Sequence, residues 1–440
     1  MNSKEGLIKN FLSLTLVQVA NNILPILVLP FIVRIIGADR YGAINFTAAI
    51  VAYFTLFINF AFDLTATRAI VDSKDIETRS NIFSDVLYAK ILLLLLSVII
   101  FLLLLNLVPQ LSNEKVLFTF TFLYCFSLVI TPNWLFQGMQ ELHIIAICNL
   151  ASKVMFTICI FFVIRKQDDY VWHPLIYSIS SIAVGLFIFF WSIRRYNLKL
   201  QGFDIRRVSK LIWSQKTVFF SLVVINLYTI ANLIILGLLR TNRDVALYSA
   251  GWKLISVVQT FISLPLSLSL FPFIGEHFVL GREQGLNKIK QITPLIIVLT
   301  LVSGLLLYIA APYIIPIFFG TDFYGSIGVF RILCLIPLIN SLGNLWGIQA
   351  MIHLKMDNAL FRITLVAAVF GIVISIVSAI QFGYIGTAWA WILTEAFMAA
   401  QMLLYLRFKK IIILNLSYFR YVYLRQNLVN IFSLIRRRFN

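Results

Sequence analysis

Four basic residues fall well inside long apolar stretches of this 440-residue chain, Lys90, Lys153, Lys253 and Arg331, and Asp63 and Glu395 are the clearest acids at depth. An ionised side chain surrounded by apolar groups is costly. Such residues therefore face a bundle interior or a water-filled cavity, or reach back to a polar boundary. Lys153 and Lys253 lie about ten residues into their stretches, which favours a cavity. Lys90, near the start of its stretch, and Arg331, a turn or two from the end of its own, are also placed to snorkel. Cations outnumber anions in the set, so a space lined by it attracts a negative ligand and repels an organic cation. Arg grips phosphate oxygens bidentately and Lys acts as a point charge, so two or three such groups suit a pyrophosphate. Asp63 is a partner for one of the cations or a group that exchanges a proton. Its structural alternative is Arg68, at the poorer helical spacing of i to i+5.

Other chemistry has little to stand on. Cys125, Cys148, Cys159 and Cys334 all lie in apolar sequence, without a CxxC or a Cys/His cluster, and read as buried thiols. His143, His173, His277 and His353 stand singly near polar gaps, so no metal site is expected. No Gly-rich phosphate loop or paired-carboxylate motif occurs, and no catalytic residue is nominated.

The elements that position these residues are helices crossing a membrane. The chain is 60% hydrophobic and 12% charged, and its first apolar run, Phe11 to Val33, exceeds the ~20 residues that a span needs. Backbone groups inside lipid must pair within their own segment, and the ~10-residue alternation of a β-barrel is absent. Twelve helices are predicted at about 10–36, 42–70, 82–108, 114–138, 142–165, 172–193, 214–239, 244–275, 289–318, 324–353, 356–380 and 384–407. The first is too long for a cleaved signal peptide and has no clear small-x-small site. Gln18, Asn21 and Asn22 on it, with Asn226 and Asn232 on the seventh, line a polar path or glue helices together. Pro25, Pro30, Pro312 and Pro316 are expected to kink their helices. Gly343 and Gly347 form a GxxxG that permits close helix contact.

The longest hydrophilic gap, Arg194 to Gln215, divides the chain. We expect a six-helix bundle at 1–193, a basic cytoplasmic linker at 194–215, a second six-helix bundle at 216–407 and a basic tail at 408–440. A faint repeat between 37–50 and 241–255 supports two related halves. Counting Lys and Arg at helix ends gives 25 on the side of the N-terminus and seven on the other, which places both termini in the cytoplasm. The net charge of +18 then belongs beside anionic phospholipids rather than nucleic acid. The tail reads as an amphipathic surface helix, because a thirteenth span would bury Arg420 and Arg425 at ~2.5–3.5 kcal/mol each.

Several strings, in order, resemble O-antigen flippases of the Wzx type: Gly37-Ala38-Asp39-Arg40-Tyr41-Gly42, Asn133-Trp134-Leu135-Phe136-Gln137-Gly138, Tyr248-Ser249-Ala250-Gly251-Trp252-Lys253 and Phe319-Gly320-Thr321-Asp322-Phe323. The resemblance covers the whole chain. It implies the polysaccharide-transporter branch of the multidrug/oligosaccharidyl-lipid/polysaccharide (MOP) exporter superfamily, an all-α, MATE-like, V-shaped protein of two six-helix lobes. It further implies translocation of an undecaprenyl-pyrophosphate-linked O-antigen or related repeat unit from the cytoplasmic to the periplasmic leaflet of a bacterial inner membrane. Alternating access through a cationic lumen, coupling to a proton or sodium gradient, no cofactor, and contact with polysaccharide polymerase machinery belong to the same expectation. Lys153, Lys253 and Arg331 carry over as candidates for the substrate path, with Lys90 and Asp63 beside them. A multidrug exporter of this fold would ordinarily want acids in its first and seventh spans, which hold none before their polar ends. A peptidoglycan-precursor flippase would want additional spans. A membrane polymerase or glycosyltransferase would want a large extramembrane loop or an acidic site.

Overall fold

The protein is described here by a computed structural model covering residues 3–413 and Tyr418, without the side chains of 3–20, 22, 23, 225, 228 and 263–269. Both readings of the basic tail concern residues that lie almost wholly outside this range.

A sequence this apolar must satisfy its peptide groups segment by segment, and the described residues accordingly form helices without a strand. Among them nine helices are long and apolar enough to cross a membrane: Leu24–Asp72, Ile76–Leu107, Lys115–Gly138, Leu142–Val163, Gln167–Arg195, Asn242–Ile262, Arg282–Phe319, Ser326–Ile352 and Asp357–Phe408. The first and the last are each two arms joined at a kink, at Gly37 and Gly383. With Ile205–Thr229 continued by Ala231–Leu239, these account for the twelve expected spans of an all-α, multi-pass membrane protein. Helical dihedrals continue through Pro25 and Pro30; the departure comes at Gly37, with φ 75° and ψ 174°. That conformation is essentially reserved for glycine, whereas proline only removes a donor that neighbouring groups can replace.

The chain divides into two compact units. One comprises the residues up to Val223 with Thr241–Ala246 and Phe318–Asp322; the other comprises Val224–Arg240, Leu247–Ile317 and the residues from Phe323 on. The boundary thus falls inside Ile205–Thr229, later than the expected 194–215 linker. The reason is that this basic stretch is docked. The Lys199 and Gln201 amides donate to Ser80 Oγ (3.1 Å) and Ser84 Oγ (2.9 Å), and Tyr88 Oη donates to the Gln201 carbonyl (2.8 Å). Leu198, Val208 and Phe219 then join the buried cluster of Phe62, Phe83 and Trp134. At the foot of Ile76–Leu107, Asp75 caps the helix by accepting from the Thr78 amide at 2.7 Å, which holds its carboxyl below the usual range.

In the first unit Ala38 of the Gly37–Gly42 string is buried, and Arg40 and Tyr41 make specific contacts. Arg40 lies over the Tyr170 ring at 4.6 Å and 3.6 Å from Asp168; Tyr41 meets Phe319 edge-on at 6.0 Å. Gly42 lets the chain pass so close to Asn242 that a Cβ would sit 1.7 Å from its carbonyl oxygen. In the second unit, Ile289, Leu345, Met351 and Leu406 form a core that also buries Ile411 and Ile413. Gly347 of the GxxxG seats against the Met402 side chain, which a Cβ there would meet at 3.1 Å, so that close contact is made within the unit. Arg240 donates to the carbonyls of Ala379 and Ile380.

Because Gly37 and Gly42 are needed for dihedral and for space, Gly37→Ala and Gly42→Ala should each destabilise the protein by ~1–3 kcal/mol. Thermal unfolding of the detergent-purified protein should show a lower midpoint for both. Gly202→Ala, where nothing lies within 4 Å, should leave the midpoint unchanged.

Candidate functional site

The embedded charges separate into one network around the buried Lys90 and several individually placed cations. The network begins at a backbone break between Ser3–Asn59 and Phe62–Asp72, where Phe60 and Ala61 take φ values of 41° and 66°. Non-glycine residues pay for such a conformation, at ~1–3 kcal/mol each, only where their surroundings impose it. Here Phe60 is held by stacking on Phe219, with centroids 4.1 Å apart. Backbone bonds from Phe60 to Leu56 and from Leu64 and Thr65 to Ala61 keep the interrupted ladder satisfied. The break still leaves Asn59 and Asp63 adjacent, and Asn59 Nδ2 donates to Asp63 Oδ2 at 2.8 Å.

Lys90 completes this network. Its ammonium donates to Asn59 Oδ1 at 2.9 Å and to the Leu128 carbonyl at 3.2 Å, and the residue is only 2% exposed. Lys90 therefore does not snorkel: it lies fully inside the first unit, on the face of Ile76–Leu107 turned toward Asn59. One amide bridges the buried cation and the half-buried anion, so Lys90 is solvated by protein dipoles, as buried charge requires. Asp63 consequently has an Asn59–Lys90 environment rather than an ion pair with Arg68. Asn59 was missed from the sequence. The available signal was an amide in an apolar run four residues before an embedded acid, which is the spacing that puts two residues on one helix face.

Lys153 sits elsewhere in the same unit. It is half-buried on Leu142–Val163, and its ammonium donates to the Asn21 carbonyl at 2.6 Å. Asn21 is 3% exposed and donates in turn from Nδ2 to the Ala146 carbonyl at 3.0 Å. Its Oδ1, equally buried, accepts no bond from the described residues. A lysine beside an unused amide oxygen is chemically suited to a phosphate or a hydroxyl-rich ligand.

In the second unit Lys253 is half-buried on Asn242–Leu280 and, among the described residues, makes no hydrogen bond or ion pair. Arg331, on Ser326–Leu333, donates from Nε to the Tyr308 carbonyl at 3.4 Å, and its guanidinium carbon lies 4.9 Å from the Tyr308 ring centre. It is thus occupied by one residue of the neighbouring helix Arg282–Phe319. Glu395 is 6% exposed and accepts from Trp391 Nε1 at 3.3 Å, four residues back on its own helix. The structure brings Lys90 and Asp63 together and leaves Lys153, Lys253 and Arg331 each in a setting of its own. No group of three or more metal-ligating side chains occurs among the described residues.

Comparison with known proteins sets this arrangement in context. Over 414 residues the chain is 25% identical to a protein of Escherichia coli (strain K12) named "Putative O-antigen transporter", covering 93% of this chain and 99% of that one. Its fold is similar to that of the lipid II flippase MurJ in an inward closed conformation, with a TM-score of 0.73 at 14% identity over 96% of this chain and 92% of that one. It is also similar to an inward-facing multidrug resistance MATE family transporter of the MOP superfamily, with a TM-score of 0.71 at 11% identity over 90% and 94% of the two chains. The MATE-like fold expected from the sequence is therefore the observed one. Residues 7–278, more than half of the chain, match the family described as polysaccharide biosynthesis protein, and the protein belongs to that family.

Proposed function

We propose that this protein is a flippase for a lipid-linked polysaccharide unit. In the fuller form of this reading, it carries an undecaprenyl-pyrophosphate-linked O-antigen or related repeat unit from the cytoplasmic to the periplasmic leaflet of a bacterial inner membrane by alternating access. The observation that carries the reading is the end-to-end kinship with a protein named "Putative O-antigen transporter", which leaves almost none of either chain unaligned. The fold shared with a lipid II flippase is compatible with it.

The chemistry fits. A sugar bearing a diphosphate cannot enter hydrocarbon, because its hydroxyls and charges lose their water partners. A protein that supplies cations and amides along a path removes that barrier while the polyprenyl tail stays in lipid, and no covalent step is needed. Lys253 is the strongest contact for the diphosphate, since no other described residue occupies its ammonium. Lys153 with the free Asn21 Oδ1 is the second. Arg331, with only its Nε engaged by the Tyr308 carbonyl, is the third. Lys90, already matched by Asn59, Leu128 and Asp63, acts as a positioning residue that holds the helix break. Coupling to a proton or sodium gradient, with Asp63 as the proton-exchanging group in the former case, belongs to the same proposal. So do cytoplasmic termini and delivery of the flipped unit to polymerase machinery. The multidrug alternative shares the fold, but an interior with more cations than anions repels the organic cations that such an exporter carries.

In cells lacking the protein, lipid-linked oligosaccharide should accumulate on the cytoplasmic leaflet, with surface polysaccharide lost and both restored by the intact gene. Complete units reaching the periplasmic face unpolymerised would overturn the reading. In the same cells Lys253→Ala should lower translocation about ten-fold or more, the loss expected of one charge-assisted bond, at an unchanged level of membrane protein. Lys253→Arg should be milder. Lys90→Ala should instead lower the amount of folded protein, by stranding Asn59 and Asp63. Dissipating the proton or the sodium gradient separately identifies the coupling ion; undiminished transport under both would remove ion coupling.

A further inference from the structure

A surface outside the proposed path carries a second site. Between helices Leu142–Val163 and Trp172–Arg195 of the first unit lies a cleft of about 320 Å³, at the lower end of the ~300–1,000 Å³ typical of ligand pockets. Its walls include Ile147 and Cys148 from one helix and Phe187 and Trp191 from the other. Beside it Phe187 and Phe190 are 66% and 60% exposed. Apolar side chains this bare on a membrane-spanning helix face lipid.

The mouth of the cleft is polar and holds Glu141, His143 and Arg195. The asymmetry of Lys and Arg between helix ends places it at the cytoplasmic boundary. Arg195 Nη2 lies 3.8 Å from Glu141 Oε1, and Tyr196 Oη donates to Glu141 Oε2 at 2.9 Å. Burial, with Glu141 beside it, raises the Tyr196 phenol above its ordinary range, so it remains a neutral donor. Glu141 is thereby matched, while the Arg195 side chain stays 58% exposed. A guanidinium has five N–H donors, and most of those on Arg195 remain available. Arg194 adjoins it, also exposed. Arg195 and Glu141 balance within the cleft, and Arg194, outside its lining, adds one positive charge at the same helix end; the unengaged Arg195 N–H groups at the end of an apolar cleft suit one phosphodiester attached to one acyl chain.

We propose that this cleft binds an anionic phospholipid of the cytoplasmic leaflet, its acyl chain between Ile147 and Phe187 and its phosphodiester at Arg195. None of its residues belongs to the proposed substrate path, and only its assignment to the cytoplasmic leaflet rests on the orientation proposed above. Cys148 in the wall is a built-in probe.

The full-length protein is placed in nanodiscs of phosphatidylcholine, with or without phosphatidylglycerol. Maleimide modification of Cys148 is followed by peptide mass spectrometry, with Cys159 further along the same helix as the internal reference. Phosphatidylglycerol should slow labelling of Cys148 about five-fold relative to phosphatidylcholine alone, the ratio expected of one basic residue beside an anionic headgroup. Arg195→Gln should abolish the difference, and Glu141→Gln, which releases Arg195, should enlarge it. Equal labelling of the unaltered protein in both lipids would overturn the proposal. So would protection by undecaprenyl phosphate where phosphatidylglycerol gives none, since the cleft would then serve the carrier lipid.

Discussion

Hydrocarbon offers no water to a peptide group or to an ammonium, and most of this structure follows from that one constraint. It imposes helices throughout the apolar sequence. It also decides where helices may stop: the break at Phe60–Ala61 closes its hydrogen bonds within the chain and rests on a stacked Phe219. The kink at Gly37 uses the residue that carries no Cβ penalty in that conformation. Where the chain leaves the apolar sequence at 196–215, its amides are not left to solvent alone but find the Ser80 and Ser84 hydroxyls.

The same constraint sorts the embedded cations by role. Lys90 is solvated internally by an amide, a carbonyl and, through the amide, a carboxylate. Its charge is consumed by the fold. Lys253 has no such set among the described residues, and its charge is therefore the one most available to an anion. Lys153 is intermediate: a backbone carbonyl holds it in place, with an unused Asn21 oxygen close by in the chain's packing. A cation's partners thus indicate its use better than its depth does.

Much of the fold was legible in the sequence. Twelve spans could be placed because apolar runs and charged gaps alternate, and a run of the right length in lipid has one stable conformation. The family was legible in strings such as Gly37–Gly42 because several of their residues answer to steric demands: the Gly37 dihedral, the passage of Asn242 past Gly42, the seat of Arg40 on Tyr170. The site was only partly legible. The partners of Lys90 lie 31 and 38 residues away, and Tyr308 lies 23 residues from Arg331, so tertiary packing alone assigns them. Depth along a helix could nominate Lys90 for snorkelling, but it could not show which face of the helix the lysine occupies. The 194–215 stretch read as a linker because it is basic; its docking depends on serines on another helix, which carry no strong sequence signal.

The central claim is that the chain itself moves a lipid-linked oligosaccharide between leaflets. The most direct measurement is made on the purified full-length protein in liposomes containing such a lipid, with leaflet sidedness read by an impermeant glycan-modifying enzyme. The account predicts that externally inaccessible oligosaccharide becomes accessible in protein-containing vesicles, and far more slowly with Lys253→Ala at equal protein content. Accessibility no greater than in protein-free vesicles, under both proton and sodium gradients, would contradict it.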